Sequence, residues 1–214
     1  MKSYLVILIA FYGVAHANDD EYENCTYRNE MKEMDDMDRR NFEETHNGRR
    51  SLVARGKVDV NNMTSMSLTA SKMMAMEYDC NLENSAYESA IICSNTSSST
   101  DENLYVIEEE DFYDPVVEAI NWWSSEAFDY DQKKENLYPS TGKIPSFANL
   151  AWDTHTKVGC AVVKCDNGKR THVVCRYGPK VQKEGQIYKT GEPCDDCPKK
   201  AKCWKDEGLC YTRQ

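Results

Sequence analysis

The stretch from residue 157 to residue 177 constrains the fold of this chain more than any other part of the sequence. Two apolar runs rich in β-branched residues, 157–165 and 171–177, flank Asp166-Asn167-Gly168-Lys169. An Asn-Gly pair readily supplies the two positive-φ residues of a type I′ turn, so the pattern predicts a β-hairpin. Because both runs are apolar nearly throughout, we expect both faces of the hairpin to be covered, as in the middle layer of a sandwich.

The first residues of the chain predict export from the cell. Residues 1–17 combine a basic start, an apolar stretch and an A-x-A cleavage signal ending at Ala17, which is typical of a secretory signal peptide. No other stretch is apolar enough to span a bilayer, so we expect a secreted, extracellular protein without membrane insertion. Glycosylation sequons agree with this destination. They lie at Asn24, Asn62 and Asn95.

All ten cysteines follow the predicted cleavage point, and an even number in an exported chain predicts about five disulfide bonds. Four of them lie in the last twenty-one residues without apolar periodicity, which predicts a disulfide-stapled tail. A C-x-x-C pair is also used for zinc or redox chemistry, but the spacing of the tail cysteines differs from that of a zinc ribbon and favours structural disulfides. The ten are Cys25, Cys80, Cys93, Cys160, Cys165, Cys175, Cys194, Cys197, Cys203 and Cys210.

Local patterns predict the remaining elements. A helix is expected over 39–55 with a left-handed stop at Gly56, and further helix over 70–93, in two pieces. A short strand is expected over 102–107, and another helix opens with Asp114 as N-cap and Pro115 at its first position. We expect Met73, Met74 and Met76 to fill the core. Adjacent Trp122 and Trp123 cannot share a helix face, so we expect one in the core and the other beneath a neighbouring loop.

The charge balance excludes two classes of partner. The chain carries a formal net charge of −10, which repels both nucleic acid and anionic membrane surfaces. The acidic run Glu108-Glu109-Glu110-Asp111 is expected to be a solvated connector.

Several blocks of the sequence, in order, resemble the signature blocks of the CAP superfamily, which comprises cysteine-rich secretory proteins, antigen 5 and pathogenesis-related 1 proteins. They are HNGRR at 46–50, EYDC at 77–80, FANLAWD at 147–153, VGCAV at 158–162 and HVVC at 172–175. The resemblance implies an α+β fold, a three-layer α-β-α sandwich around a small three-stranded antiparallel sheet, with a cysteine-rich C-terminal hinge. We divide the chain accordingly into signal peptide (1–17), N-terminal arm (18–37), CAP domain (38–179) and cysteine-rich tail (180–214).

Within that superfamily the sequence resembles nematode secreted proteins related to venom allergens. Among these it is similar to a hookworm anti-adhesive branch. This resemblance implies a secreted protein that inhibits host platelet aggregation and adhesion by blocking cell-surface integrins, with the platelet fibrinogen and collagen receptors as expected partners. Two alternatives stay open: an antagonist of leukocyte integrins, and a secreted carrier of lipids or sterols.

The CAP cleft of this superfamily usually holds a divalent metal between two histidines and two glutamates. The matching glutamates are Glu102 and Glu126, but the histidine positions fall on Ser97 and Ser146. Two carboxylates without imidazoles make a poor zinc site, and no histidine is left to serve as a base near neutral pH. We therefore expect no metal, no cofactor and no catalysis.

An integrin ligand usually offers an exposed carboxylate to a bound cation, in keeping with the preference of such ions for oxygen. Neither Arg-Gly-Asp nor Lys-Gly-Asp occurs, and Arg55-Gly56-Lys57 is expected to end a helix. The candidate receptor contacts are therefore other acids. They are Asp59, Glu108, Glu109, Glu110, Asp111 and Asp166.

The superfamily resemblance also implies disulfide partners. It pairs Cys160 with Cys175 across the hairpin and Cys80 with Cys165 from helix to sheet. These pairings leave Cys25 with Cys93, and the four tail cysteines among themselves.

Overall fold

The computed structural model describes Cys25 and residues 34–108, 114–139, 142–180 and 185–212. The predicted signal peptide, the sequon at Asn24 and Glu109, Glu110 and Asp111 of the acidic run lie outside these residues. In the described part of the chain, no helix is both long and apolar enough to cross a bilayer.

The described part of the chain contains helices and short strands, and Ile187, Tyr188 and Leu209 of the tail join the same core cluster as Val53 and Phe147. The helices are α1 (Asp36–Ala54), α2 (Cys80–Ala90), α3 (Pro115–Ser125) and α4 (Pro145–Ala151), with short 3₁₀ segments at Glu126–Asp129 and Asp166–Gly168. The strands are β1 (Asp59–Val60), β2 (Ser65–Met66), β3 (Glu77–Tyr78), β4 (Glu102–Ile107), β5 (Lys157–Cys165), β6 (Arg170–Gly178), β7 (Lys202–Trp204) and β8 (Leu209–Tyr211).

The hairpin predicted from the sequence forms the centre of the main sheet. This sheet has the order β3-β5-β6-β4, in which β5 pairs antiparallel with β6 and β6 pairs antiparallel with β4. The expected three antiparallel strands are confirmed, and the two-residue strand β3 adds a parallel edge beside β5. The strands β1 and β2 form one small separate hairpin and β7 and β8 another, and an isolated parallel bridge joins Cys210 of β8 to Met74.

Side chains alternate between the two faces of the hairpin, and helices cover both faces. Ala161 and Val174 pack with Ala86 and Ala90 of α2 on one face. The opposite face packs against α1, α3 and α4, through Phe42, Ile120, Trp123, Leu150, Val158 and Val173. This is the predicted α-β-α sandwich, and it explains why both hairpin strands are apolar almost throughout.

Helix α2 lies so close to β5 that only glycine fits at position 159. A Cβ built on Gly159 would be 2.2 Å from the backbone nitrogen of Glu83 and 2.5 Å from the carbonyl oxygen of Asp79. Glycine in a strand interior often marks such a close backbone approach. The first turn of α2 is thereby held against the strand end that precedes Cys160.

Helix starts and stops follow the local signals. Asp114 accepts hydrogen bonds from the backbone nitrogens of Val116 and Val117 at the start of α3, as predicted. Gly56 has a φ of +64° and ends α1, and the backbone nitrogen of Lys57 donates to the carbonyl of Leu52. This is the Schellman arrangement, so Arg55-Gly56-Lys57 is a helix stop, as expected.

The prediction of helix over 70–79 is wrong. The backbone nitrogens of Met74, Ala75 and Glu77 donate instead to carbonyls of Asp153, Cys210 and Thr156. Because these distant partners satisfy the backbone, the segment runs extended between the tail and the sheet. The prediction that its methionines fill the core is confirmed, since Met73, Met74 and Met76 are all buried.

The turn of the main hairpin differs in detail from the expected two-residue turn. Cys165 pairs with Arg170, so the loop contains four residues. Asp166, Asn167 and Gly168 all have positive φ, at 51°, 58° and 87°. The Asn-Gly pair therefore supplies left-handed residues as predicted, but Asp166 joins them.

Two of the implied disulfide pairings are wrong. Cys25 bonds to Cys80, and Cys93 bonds to Cys165. Helix α2 runs along the hairpin, with Asp79 beside Val158 and Ala90 beside Cys165. Cys80 therefore lies at the far end of α2 from Cys165, roughly 15 Å away at 1.5 Å per helical residue, which is beyond the reach of a disulfide.

The other implied pairings are confirmed. Cys160 lies directly opposite Cys175 in the sheet, with their Cα atoms 4.1 Å apart. The tail cysteines pair among themselves, Cys194 with Cys203 and Cys197 with Cys210. All ten cysteines are disulfide-bonded, as predicted.

Candidate functional site

Each of the two glutamates that match the metal site implied by the resemblance has a structural partner. Glu102, at the start of β4, forms an ion pair with Arg176 at 2.8 Å. Its carboxylate also accepts hydrogen bonds from the backbone nitrogen and the hydroxyl of Ser98, at 2.7 and 3.0 Å. The strand register places Glu102 directly opposite Arg176, so the sheet itself forms this pair.

Glu126 caps a helix. Its Oε2 atom accepts hydrogen bonds from the backbone nitrogens of Ser146 and Phe147, at 2.7 and 2.8 Å, at the start of α4. The residue in the N-cap position of α4, Ile144, forms no side-chain cap. A distant carboxylate thus supplies the acceptor that the local sequence lacks, and negative charge there also complements the helix dipole.

The residues at the four positions of the implied metal site do not fit a zinc ion. Serines occupy both histidine positions, at Ser97 and Ser146, and the two carboxylates are engaged as described above. Within the described ranges, the one close grouping of three histidine, cysteine or acidic donors is Cys194, Cys197 and Cys210. These three sulfurs belong to disulfides and are not available as thiolate ligands.

A buried hydrogen-bond network links the sequence blocks that carry the superfamily resemblance. The hydroxyl of Tyr177 lies 2.9 Å from His46 Nε2 and 2.9 Å from Asn103 Nδ2. Asn149 donates to Asn103 Oδ1 at 2.8 Å and to the carbonyl of Thr100 at 3.1 Å. The network thus joins α1, β4, α4 and β6 through side chains that are fully buried or nearly so.

Burial determines the protonation of this network. Burial above all, together with the neighbouring charge of Arg50, lowers the pKa of His46 to about 4, and the hydrogen bond to the carbonyl of Phe42 partly opposes this shift. Burial raises the pKa of Tyr177 well above its ordinary value. Both groups are therefore neutral at physiological pH, as expected for partners that share hydrogen bonds in a low-dielectric interior.

Arg50 holds four backbone carbonyls, from two segments of the chain, against α1. Its guanidinium donates to the carbonyls of Met74, Leu150, Trp152 and His155, at 2.7 to 3.0 Å. Burial lowers the pKa of Arg50 to about 9, so the side chain stays charged at neutral pH, and Asp153 partly offsets that effect. A planar fork of donors suits such multiple carbonyl contacts in a way that lysine cannot reproduce.

The candidate receptor carboxylates differ in their surroundings. Asp59 is exposed in the β1–β2 hairpin, where it lines an open cleft of about 340 Å³ with Arg49, Lys57 and Phe128. Glu108 is exposed just beyond β4. Asp166 forms an ion pair with Arg170 in the loop of the main hairpin.

The structure brings Glu108 and Asp166 to one end of the main sheet. Ile107 pairs with Thr171, which places the end of β4 beside the β5–β6 loop. Asp59 lies apart from this end, in the separate β1–β2 hairpin. The three candidates within the described residues therefore do not form one acidic surface.

Sequence reasoning missed one exposed carboxylate. Asp206 lies at the apex of the β7–β8 hairpin, where the backbone nitrogens of Glu207 and Gly208 both donate to the carbonyl of Trp204. Glu207 hydrogen-bonds to Ser51 and approaches Arg55, which anchors this apex to α1. The sequence Asp206-Glu207-Gly208 could have predicted this exposed turn, because Asp and Gly are typical residues of tight turns.

The tryptophan pair separates as predicted, although Trp122 is more exposed than expected. Trp123 is buried, and its indole nitrogen donates to the carbonyl of Leu104 at 3.3 Å. Trp122 packs beside Tyr105 of β4 but leaves 59% of its surface exposed. Trp123 and the methionines of 73–76 are therefore core residues rather than the lining of a lipid pocket.

Two of the predicted sequons lie within the described residues. Asn62 is exposed at the tip of the β1–β2 hairpin, and Asn95 is exposed in the loop after α2. The side-chain oxygen of Asn95 accepts a hydrogen bond from Arg170 at 2.6 Å. Glycosylation at these sites stays a prediction.

Comparisons with known proteins place this geometry in a family. The family model described as "Cysteine-rich secretory protein family" matches residues 43–177. Hookworm platelet inhibitor 1 of Ancylostoma caninum is 41% identical over 198 residues, covering 92% of this chain and 89% of that protein. The Ancylostoma secreted protein of the same species is 34% identical over 192 residues, which are 83% of this chain and 45% of that longer protein.

Solved structures agree with the sequence comparison. The crystal structure of hookworm platelet inhibitor superimposes with a TM-score of 0.73 at 39% identity, covering 86% of this chain and 94% of that one. The structure of NaASP2 with Zn²⁺ also gives a TM-score of 0.73, at 28% identity, covering 83% and 96% of the two chains. The chain belongs to the cysteine-rich secretory protein family.

Proposed function

We propose that this chain is a secreted anti-adhesive protein that inhibits platelet aggregation and platelet adhesion by blocking a cell-surface integrin. The observation that carries the proposal is its 41% identity to hookworm platelet inhibitor 1 over nearly the full length of both chains. The fold also superimposes on 94% of the solved chain of hookworm platelet inhibitor, which supports the same conclusion. The five disulfides and the predicted signal peptide agree with secretion.

The proposed activity is binding, with no chemical step. Glu102 forms an ion pair and Glu126 caps a helix, and His46 is enclosed between Phe42 and Tyr177. Inhibition therefore depends on an exposed surface that competes with the natural ligand of the receptor. An exposed carboxylate that completes the coordination of a receptor-bound cation is the simplest such contact.

Three of the carboxylates described above meet the requirements of this contact. Asp59, Glu108 and Asp206 are exposed, and none has an ion-pair partner within 4 Å among the residues that the structure describes. Asp166 is a weaker candidate, because Arg170 must be displaced before its carboxylate can bind a cation. Asp206 has the further advantage of a hairpin apex that is held by disulfides and by Glu207.

The first experiment measures platelets and neutrophils side by side. The purified, disulfide-bonded protein is added to platelets in aggregation assays and in adhesion assays on fibrinogen and on collagen, with neutrophil adhesion as the comparison. We expect selective loss of platelet function. Inhibition of neutrophils alone would instead support a leukocyte integrin antagonist, and no effect on either cell would contradict the proposal.

A second experiment locates the contact. Asp59→Asn, Glu108→Gln and Asp206→Asn are each tested for saturable binding to a purified integrin ectodomain, with Asp131→Asn as a matched control in which the altered acid is exposed and pairs with Lys133. We expect one of the three to weaken binding at least tenfold, or about 1.4 kcal/mol. Unchanged binding by all three variants would contradict a contact through any of these three carboxylates. Inhibition would then have to arise because the protein covers the receptor sterically.

A further inference from the structure

The cysteine-rich tail presents a strip of positive charge. Lys199, Lys200, Lys202 and Lys205 fall within seven residues, without an acid among them. All four side chains are exposed. We refer to these four residues as the lysine strip.

The ammonium groups of the lysine strip are not neutralised locally. In the described part of the chain, no carboxylate lies within 4 Å of any of the four, whereas Lys157 and Lys189 pair with Asp79 and Asp196 at 2.7 and 2.9 Å. The whole chain carries −10, so removing these four positive charges would leave −14 on the remainder. The strip is thus a local exception on a strongly acidic protein.

The backbone beneath the lysine strip is rigid. Cys203 pairs with Cys210 in the β7–β8 ladder, and these two residues are bonded to Cys194 and Cys197 respectively. The backbone nitrogen of Ala201 donates to the carbonyl of Pro198 at 2.7 Å. The loss of backbone entropy on binding is therefore small, because the disulfides have already restricted the strip.

An aromatic platform adjoins the strip. The rings of Trp204 and Tyr211 stack with centroids 4.4 Å apart and an interplanar angle of 18°, and Trp204 stays 45% exposed. Lys202 lies two residues from Trp204 on the same strand, so both side chains emerge on one face of the hairpin. A flat apolar surface beside a row of cations suits a ligand that has both apolar ring faces and anionic groups.

We propose that the lysine strip and Trp204 form a binding site for a linear sulfated polysaccharide, such as the glycosaminoglycan chains of an extracellular surface. Lysine-rich segments of this length bind heparin-like polyanions electrostatically. The sugar rings pack on Trp204 while the sulfates contact the ammonium groups. Such binding concentrates the protein where adhesion takes place, and it does not depend on the platelet activity proposed above.

Charge distribution favours a polysaccharide chain over an anionic membrane. A membrane is a plane, so contact through the strip would also bring neighbouring acidic surface within the Debye length of about 8 Å at physiological salt. A thin chain that follows the strip meets less of that surface, and the acids that share a pocket with Trp204 and Tyr211 are Glu43 and Glu77. Trp204 is also the one large apolar side chain of the described tail, 185–212, that is strongly exposed, which is little for insertion into lipid.

The test uses a heparin oligosaccharide and the full disulfide-bonded protein. We expect salt-dependent binding that weakens about 50-fold between 50 and 200 mM salt, if the four lysines behave as contacts to a flexible single-stranded polyanion. The variant Lys199→Gln/Lys200→Gln/Lys202→Gln/Lys205→Gln loses that salt dependence and binds at least about tenfold more weakly at physiological salt. Asp206→Asn, which removes the adjacent negative charge, strengthens binding.

The controls separate this site from nonspecific attraction. Lys133→Gln/Lys134→Gln removes two adjacent lysines elsewhere on the surface and is expected to bind heparin as the unaltered protein does. Desulfated heparin is expected not to bind. The proposal is overturned if the four-lysine variant binds heparin with unchanged salt dependence, or if phosphatidylserine vesicles bind the protein and heparin does not.

Discussion

The buried centre and the cysteine-rich tail of this protein are held together by different means. The centre relies on polar side chains enclosed among helices and sheet, namely Arg50 and the network around Tyr177. The tail relies on two disulfides that connect short strands, and most of its charged side chains are exposed. One region uses hydrogen bonds that need burial, whereas the other uses covalent bonds that do not.

This difference bears on where we propose the binding surfaces. In the centre, Arg50 and the Tyr177 network bind other parts of the chain, and Glu102 and Glu126 form an ion pair and a helix cap. In the tail, the disulfides hold the backbone, so side chains such as Lys202 and Asp206 are not needed for folding. The tail can therefore vary its surface chemistry while the centre cannot.

The largest effect is expected from replacing the central clamp. Arg50→Leu leaves four buried carbonyls, those of Met74, Leu150, Trp152 and His155, without their donor. Each unsatisfied carbonyl lowers the free energy of unfolding by about 1–3 kcal/mol. We expect a loss of more than about 4 kcal/mol, measured by denaturant unfolding or seen as failure to secrete. Arg49→Leu, which alters the neighbouring arginine that contacts Asn121 near the surface, should change stability by less than about 1 kcal/mol. Similar losses in both variants would contradict the assigned role of Arg50.

A smaller and more local effect is expected in the tail. Cys197→Ser/Cys210→Ser removes a disulfide between residues 13 positions apart in the sequence. In the chain-entropy model such a disulfide stabilises the folded state by about 3 kcal/mol. We expect faster proteolysis within 194–212 and weaker heparin binding. The unfolding transition of the sandwich should move much less than with Arg50→Leu. A large loss of stability of the whole domain would show that the tail is not separable from the centre.

The smallest effect is a dependence of stability on pH that arises from His46. Its pKa is about 4 when folded and near 6.5 when unfolded, so the unfolded state binds the proton first. The stabilisation is complete above pH 6.5 and is lost as the pH falls from 6.5 towards 4, by about 2 kcal/mol between pH 7 and pH 5.

His46→Gln measures this contribution directly. The variant should be less stable at pH 7 but should show a flatter loss of unfolding free energy between pH 7 and pH 5 than the unaltered protein. Other titrating groups affect both proteins equally, so the difference between the two curves isolates His46. Parallel curves would contradict a strongly lowered pKa at this position.

Much of the fold follows from signals within a few residues. Asp114 and Gly56 act as cap and stop because their hydrogen bonds close within one helical turn. The main hairpin follows from its apolar runs and its Asn-Gly loop, although the extra left-handed residue Asp166 was not predicted. For the site, the residue types at Ser97 and Ser146 already argued against zinc.

The sequence alone determined the hairpin, the caps and the even set of cysteines, because each depends on neighbours in the chain or on composition. The tertiary structure decided which cysteines pair, that residues 70–79 are extended, and that Glu102 and Glu126 bind Arg176 and the start of α4. These outcomes depend on atoms that are brought together from distant parts of the chain. No local pattern can specify them, because the competing arrangements have the same local sequence and differ only in how the layers pack.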